Sequence, residues 1–233
     1  MYAVVLTIGV LAGGFLLLFQ SDPDQTINRL ALPVQSQVQG YLAVCLCGLA
    51  GARIAHLLVH RHLSVEDVHG MVFGGGGLSW EGAVVGGLAA LGVFVRLRHA
   101  SFLRTGKRLV IPLLMVHLAA RIGWLLSSGQ APVASPPTLA WAPDAAQANI
   151  IIAAASALLP GILLAMRDDR LRLGLAATGA AAIQLFATLV STRPVMLIAG
   201  LRLDSAFAAV VLLLSFALLV LQAIAGTNRS KKQ

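Results

Sequence analysis

A bundle of seven membrane-crossing α-helices, with its N-terminus outside and its C-terminus in the cytoplasm, is the fold class this chain predicts. Three observations predict it. Charge-free apolar runs recur along the 233 residues, over 1–21, 30–52, 82–95, 122–143, 145–166, 173–192 and 205–228. A helical span needs about 20 mostly apolar residues. The composition is 58% hydrophobic and only 11% charged, with a mean hydropathy of +0.86, which excludes a set of ordinary soluble domains. The third observation is where the cations stand. With the spans placed at about 2–19, 39–60, 81–95, 109–126, 148–166, 171–192 and 205–226, twelve Lys and Arg fall on one side and three on the other. Cytoplasmic loops carry the excess of Lys and Arg, so the side holding Arg96, Arg98, Arg104, Lys107 and Arg108 is the inner one.

Each element has its own justification. The first apolar run follows no basic residue, so it reads as a retained helix and not as a cleaved leader. Gly9 and Gly13, and Gly82 and Gly86, form small-xxx-small pairs that let helix backbones approach closely. The third span is short and is expected to begin near Leu78. The segment 130–147 holds Pro132, Pro136, Pro137 and Pro143 and reads as an outer loop. The chain is read as one transmembrane domain over residues 1–233, without a soluble domain or an internal repeat. The net charge of +8 resides in short loops between spans, as insertion topology requires, so no nucleic-acid partner is implied. Cys45 and Cys47 lie two apart in one apolar segment and point to different helix faces, which rules out a disulfide between them.

The chemistry concentrates in the outer half of the membrane. The stretch GGGGLSWEG over residues 74–82 sits at the mouth of the third span, and its glycines allow close approach of backbone to a ligand or a neighbouring helix. Glu81 opens that span. Arg53 lies about 10 Å inside the outer end of the second span, Arg121 about 8 Å inside that of the fourth, and Arg193 follows the sixth. Facing lipid at depth, each such charge would cost about 2.5–3.5 kcal/mol or more. Two readings follow: the four groups face one another across a wet cleft, or the arginines snorkel to the interface and Glu81 balances one of them. In the first reading, three guanidiniums suit a phosphate, which they engage two oxygens at a time. The abundant phosphate of a bilayer is a phospholipid headgroup.

The histidines carry two readings as well. His56 and His60 are spaced i,i+4 on the second span, a spacing that could ligate a metal or haem, but no carboxylate or thiolate accompanies them. His56 and His117 are alternative proton acceptors beside the arginines, His117 and Arg121 also being i,i+4. No cofactor and no metal are expected. The glycine run does not fit a dinucleotide fingerprint, since glycines 74 and 76 lead to Ser79, and Gly106-Lys107 lacks the earlier glycine of a phosphate loop.

Several of these motifs resemble one family. Gly77-Leu-Ser79-Trp-Glu81-Gly82 resembles the G-G-x-S-[FW]-H-G-G stretch of bacterial prolipoprotein diacylglyceryl transferases. Gly51-Ala-Arg53-Ile-Ala is similar to that family's G-x-R-[IL]-G segment, and Ala120-Arg121-Ile-Gly123 to the start of its G-R-[IL]-G-N-F-x-N-x-E signature. Arg193-Pro194 is similar to its R-x-P-D. The order holds from about residue 40 to 215. The motif histidine stands here as Glu81, the signature asparagines fall on Trp124 and Ser127, and the signature glutamate falls on Gly129.

The resemblance implies transfer of the diacylglyceryl group of phosphatidylglycerol, or another anionic phospholipid, to the lipobox cysteine thiol of a prolipoprotein. It implies a site at the outer leaflet of a bacterial cytoplasmic membrane. Carried over by position, Glu81, Arg121 and Arg193 are the catalytic residues, and Arg53, Arg121, Arg193, Gly77 and Ser79 hold the lipid headgroup. The alternatives are a non-catalytic membrane protein that kept the anionic-lipid cleft, as a subunit of an envelope complex, and a metal or haem protein built on His56 and His60.

Overall fold

The structure is a computed structural model describing residues 1–19, 33–60, 79–128, 145–166, 169–190, 197–198 and 201–230. Seven helices account for nearly all of them: α1 (Tyr2–Phe19), α2 (Val34–His60), α3 (Trp80–Leu97), α4 (Phe102–Ser128), α5 (Ala145–Ala165), α6 (Asp169–Val190) and α7 (Leu203–Ser230). Six of these are long and apolar enough to cross a membrane, which makes the chain a multi-pass membrane protein. The sequence predicts seven. The seventh helix, α4, is not among the six counted over the described residues; its first turns carry Arg104, Lys107 and Arg108, and Arg121 lies further along it. Between α6 and α7, Leu197–Ile198 (β1) and Leu201–Arg202 (β2) pair antiparallel, Leu197 opposite Arg202 and Ile198 opposite Leu201. A two-residue pairing leaves no periodicity to read in a sequence, and none was expected here.

The outer faces are apolar. Leu46, Leu58, Leu88, Ile150, Leu213 and Leu221 are all exposed, an exterior suited to hydrocarbon and far beyond the patches a soluble monomer shows. Four hydroxyls within the helices find backbone acceptors on their own helix. Thr7 donates to Ala3 O at 2.8 Å, Ser156 to Ile152 O at 2.7 Å, Thr188 to Leu185 O at 2.8 Å and Ser215 to Leu212 O at 3.0 Å. That satisfies hydroxyls where no water can.

The helices group into two compact units, the division falling within α1 and α4: residues 14–113 form one, and 1–13 with 114–233 the other. In the first unit α2 and α3 pack along most of their length. Their contact is backbone on backbone. A Cβ on Gly82 would run into the Gly51 carbonyl oxygen, one on Gly51 into the Gly82 carbonyl oxygen, and one on Gly86 into the Cys47 carbonyl oxygen. The expected close approach at Gly82 and Gly86 is therefore present, with α2 as the partner. Around it are buried Tyr41, Val44, Cys45, Leu91 and Val95. Cys45 is buried, Cys47 is exposed, and both are free.

The third helix begins at Trp80, two residues after Leu78, where Ser79 caps it: the Ser79 side chain accepts from Gly82 N at 3.3 Å. At its other end, His99 N bonds to Arg96 O and Ala100 N to Val95 O, which ties off the last carbonyls. His99 occupies the left-handed region at φ 48°, where glycine is the usual residue.

In the second unit α6 packs on both α5 and α7, and small residues line the contacts: Ala148, Ala176, Ala181 and Ala208 are buried. A Cβ on Gly179 would meet the Leu159 side chain, and one on Gly174 the backbone of Leu219. Gly9 of α1 faces Ala119 of α4, with no room for a methyl.

Candidate functional site

In the first unit the polar residues gather where α3 begins. Ser79 N donates to the Ala52 carbonyl of α2 at 3.1 Å, so the cap of α3 is stapled to the residue before Arg53. The Ser79 hydroxyl donates to Glu81 Oε2 while its oxygen accepts from Gly82 N. The carboxylate thus stands in the first turn of α3, where the unsatisfied amides favour negative charge. Glu81, Arg53 and His56 are all half-buried, Arg53 and His56 one turn apart on α2. A hydroxyl-tethered carboxylate can accept a proton, and a guanidinium on the neighbouring helix can steer an anion.

In the second unit the centre is Arg121. Its guanidinium donates from Nη2 to Oε1 of Gln184, a residue of α6 only 8% exposed. The partner is an amide, so the bond orients the guanidinium without cancelling its charge. Arg121 also lines a shallow recess with Leu125 of α4 and Asn149, Ile152 and Ala153 of α5. One turn before it, His117 Nε2 is buried with no hydrogen-bond partner among the described residues. A cation held by a neutral amide is suited to hold a phosphate and to stabilise charge that develops on it.

Residues 1–224 match the sequence model of the prolipoprotein diacylglyceryl transferase family. The chain belongs to that family. The family's members are membrane-embedded transferases of lipoprotein biosynthesis, and its activity class is diacylglyceryl transfer to prolipoproteins from a phospholipid donor. No curated protein matches the chain.

Against that family the expected site residues fall as follows. Arg53, His56, Ser79 and Glu81 lie together in the first unit; His117 and Arg121 lie in the second. Gly77 and Arg193 lie outside the described residues, as do glycines 74–76 and the side chains of Trp124 and Ser127. Among the described residues no three His, Cys, Asp or Glu come together to hold a metal ion, and the side chain of His60 is outside them. Two participants were missed by sequence reasoning, Gln184 and Asn149. The signal was present, since Gln184 is the lone amide of α6 and Asn149 stands with Gln147 at the start of the otherwise apolar α5, and such polar residues mark a functional or packing demand by default.

Proposed function

We propose that this protein transfers the diacylglyceryl group of phosphatidylglycerol to the lipobox cysteine of a prolipoprotein, at the outer leaflet of a bacterial cytoplasmic membrane. In this reading α4 is the seventh span, the N-terminus is outside and the C-terminus inside, and residues 1–233 form one transmembrane domain. Arg53, Arg121 and Arg193, with Gly77 and Ser79, hold the headgroup. Glu81 takes the thiol proton, with His56 and His117 as alternative acceptors. The sulfur attacks the diacylglyceryl carbon that bears the phosphodiester oxygen; the C–S bond forms as the C–O bond breaks. Glycerol phosphate leaves carrying the electron pair. Arg121 and Arg193 meet the charge growing on that phosphate.

The observation that carries the reading is the Arg121–Gln184 bond. A guanidinium within a membrane helix is retained at a cost of several kcal/mol. Here it is oriented by an amide and faces a recess, as an anion-binding cation should be. The test is thioether formation on a lipobox peptide by the purified protein with phosphatidylglycerol. Wild type should turn over, Arg121→Ala should lose a factor of about 10² to 10³, and Glu81→Gln about 10² with lipid binding kept. A folded wild type that binds phosphatidylglycerol without forming thioether would overturn the transferase and leave a lipid-binding protein.

A further inference from the structure

The end of the first unit remote from Glu81 has a recess of its own. It is lined by Ala100, Ser101, Arg104, Thr105, Arg108 and Leu109, with Gln37 of α2 across from them. Ser101, the residue before α4, stands three and four residues ahead of Arg104 and Thr105, and Arg108 stands four and three residues after them, so the four lie on one side of the start of α4. Gln37 and Thr105 are buried, at 4% and 5% exposure, Arg108 is half-buried and Arg104 is exposed at the rim. Arg98 reaches the same end and donates to Gln39 Oε1 at 2.8 Å.

The charge pattern there is one-sided. No carboxylate lines the recess, and the first turn of α4 contains no acidic residue. Among the described residues of this unit Glu81 is the single carboxylate. It stands fifteen residues before Arg96 along α3, about 22 Å away. Cations at a helix N-terminus oppose the helix dipole, so Arg104 and Arg108 stand where an anion is favoured twice over. Two guanidiniums one turn apart, two hydroxyls and a buried amide line one recess, a set of groups that suits the several oxygens of a tetrahedral oxyanion.

We propose that this recess binds a phosphate group, held by Arg104 and Arg108 with Gln37, Ser101 and Thr105 as neutral partners, at a site separate from the Arg121 recess. Its natural source is an anionic phospholipid headgroup of the leaflet opposite Glu81, since polybasic segments at a membrane surface collect such lipids. That this leaflet is the cytoplasmic one rests on the orientation proposed above; the phosphate chemistry does not.

The full-length protein, purified in a neutral detergent, is titrated separately with short-chain phosphatidylglycerol, phosphatidylcholine and inorganic phosphate, with melting temperature as the readout. Phosphatidylglycerol should stabilise wild type through an increment that Arg104→Gln/Arg108→Gln lacks and Arg121→Ala keeps. Each guanidinium removed should weaken apparent affinity about 5-fold, and Lys at both positions should recover part of it. Arg104 is exposed, so Arg104→Gln alone keeps the test decisive if the double variant folds poorly. Stabilisation by phosphatidylglycerol but not by millimolar inorganic phosphate assigns the group to a lipid, and the reverse assigns it to a soluble anion. If no increment depends on Arg104 and Arg108, the proposal is overturned, whatever the Arg121-dependent increment shows.

Discussion

Glu81 and Arg121 are both polar groups in apolar helices, yet they are held in opposite ways. Glu81 is fixed by its own neighbourhood: Ser79 two residues before it, the backbone of α3, and the glycine contact that sets α3 against α2. Arg121 is fixed by Gln184, 63 residues further along the chain. The first arrangement is a property of backbone geometry and resists repositioning. The second depends on one side-chain pair between two helices and tolerates a change in the partner's charge without a change of fold. The proton acceptor and the anion holder of the proposed reaction are thus separately adjustable.

The largest effect should come from breaking the backbone arrangement. Gly82→Ala puts a methyl into the Gly51 carbonyl and Ala55, so the α2–α3 contact must open. A loss of about 1–3 kcal/mol is expected, read as a lowered melting temperature in detergent. Gly92→Ala is the control: nothing stands within 4 Å of its would-be Cβ, and the change should be neutral or slightly stabilising. Equal losses at both positions would show that helix propensity, not the close contact, is being measured.

Breaking the side-chain arrangement should move function more than stability. Gln184→Leu removes the acceptor of Arg121 and should lower transfer about 10-fold, on the scale of a hydrogen bond to a charged group. Gln184→Glu keeps the shape but places a carboxylate on the guanidinium, so affinity for phosphatidylglycerol should fall as well. If Gln184→Glu binds lipid as wild type does, the neutrality of the partner has no role.

The smallest effect is expected at the cap. Ser79→Ala loses the hydrogen bond to Gly82 N and the tether on Glu81, for about 1 kcal/mol of stability. A drop in turnover accompanied by a shift of the pH profile would show that the tether also tunes the carboxylate. A stability change alone would confine Ser79 to capping.

How much of this was legible in the sequence follows the same division. The glycine spacing at 82 and 86 announced a close helix contact, and the apolar run at 2–19 announced α1 to the residue. What runs along one helix can be read from spacing. Which helix faces which cannot, because helices apolar on every side carry no stripe that points to a partner. Hence Arg121 was found and Gln184 was not. The α3–α4 turn was hidden for a different reason: His99 takes a left-handed position that a reader of sequence looks for in glycine. In α4, the cations of the first turns lengthen the helix beyond its apolar run, so its start at Phe102 lies seven residues before the expected edge at 109.

The glycine contact also bears on how variation in this chain is to be interpreted. At positions 51, 82 and 86 every other residue brings a Cβ onto a backbone oxygen. A saturation library scored for function would therefore show these positions as intolerant as any reacting group, although a glycine has no side chain to react with. Intolerance across Ser79–Gly82 would then mix two causes in four adjacent residues. Only positions whose variants keep wild-type abundance while losing turnover would report on chemistry, and abundance must be scored beside activity for the stretch to be read.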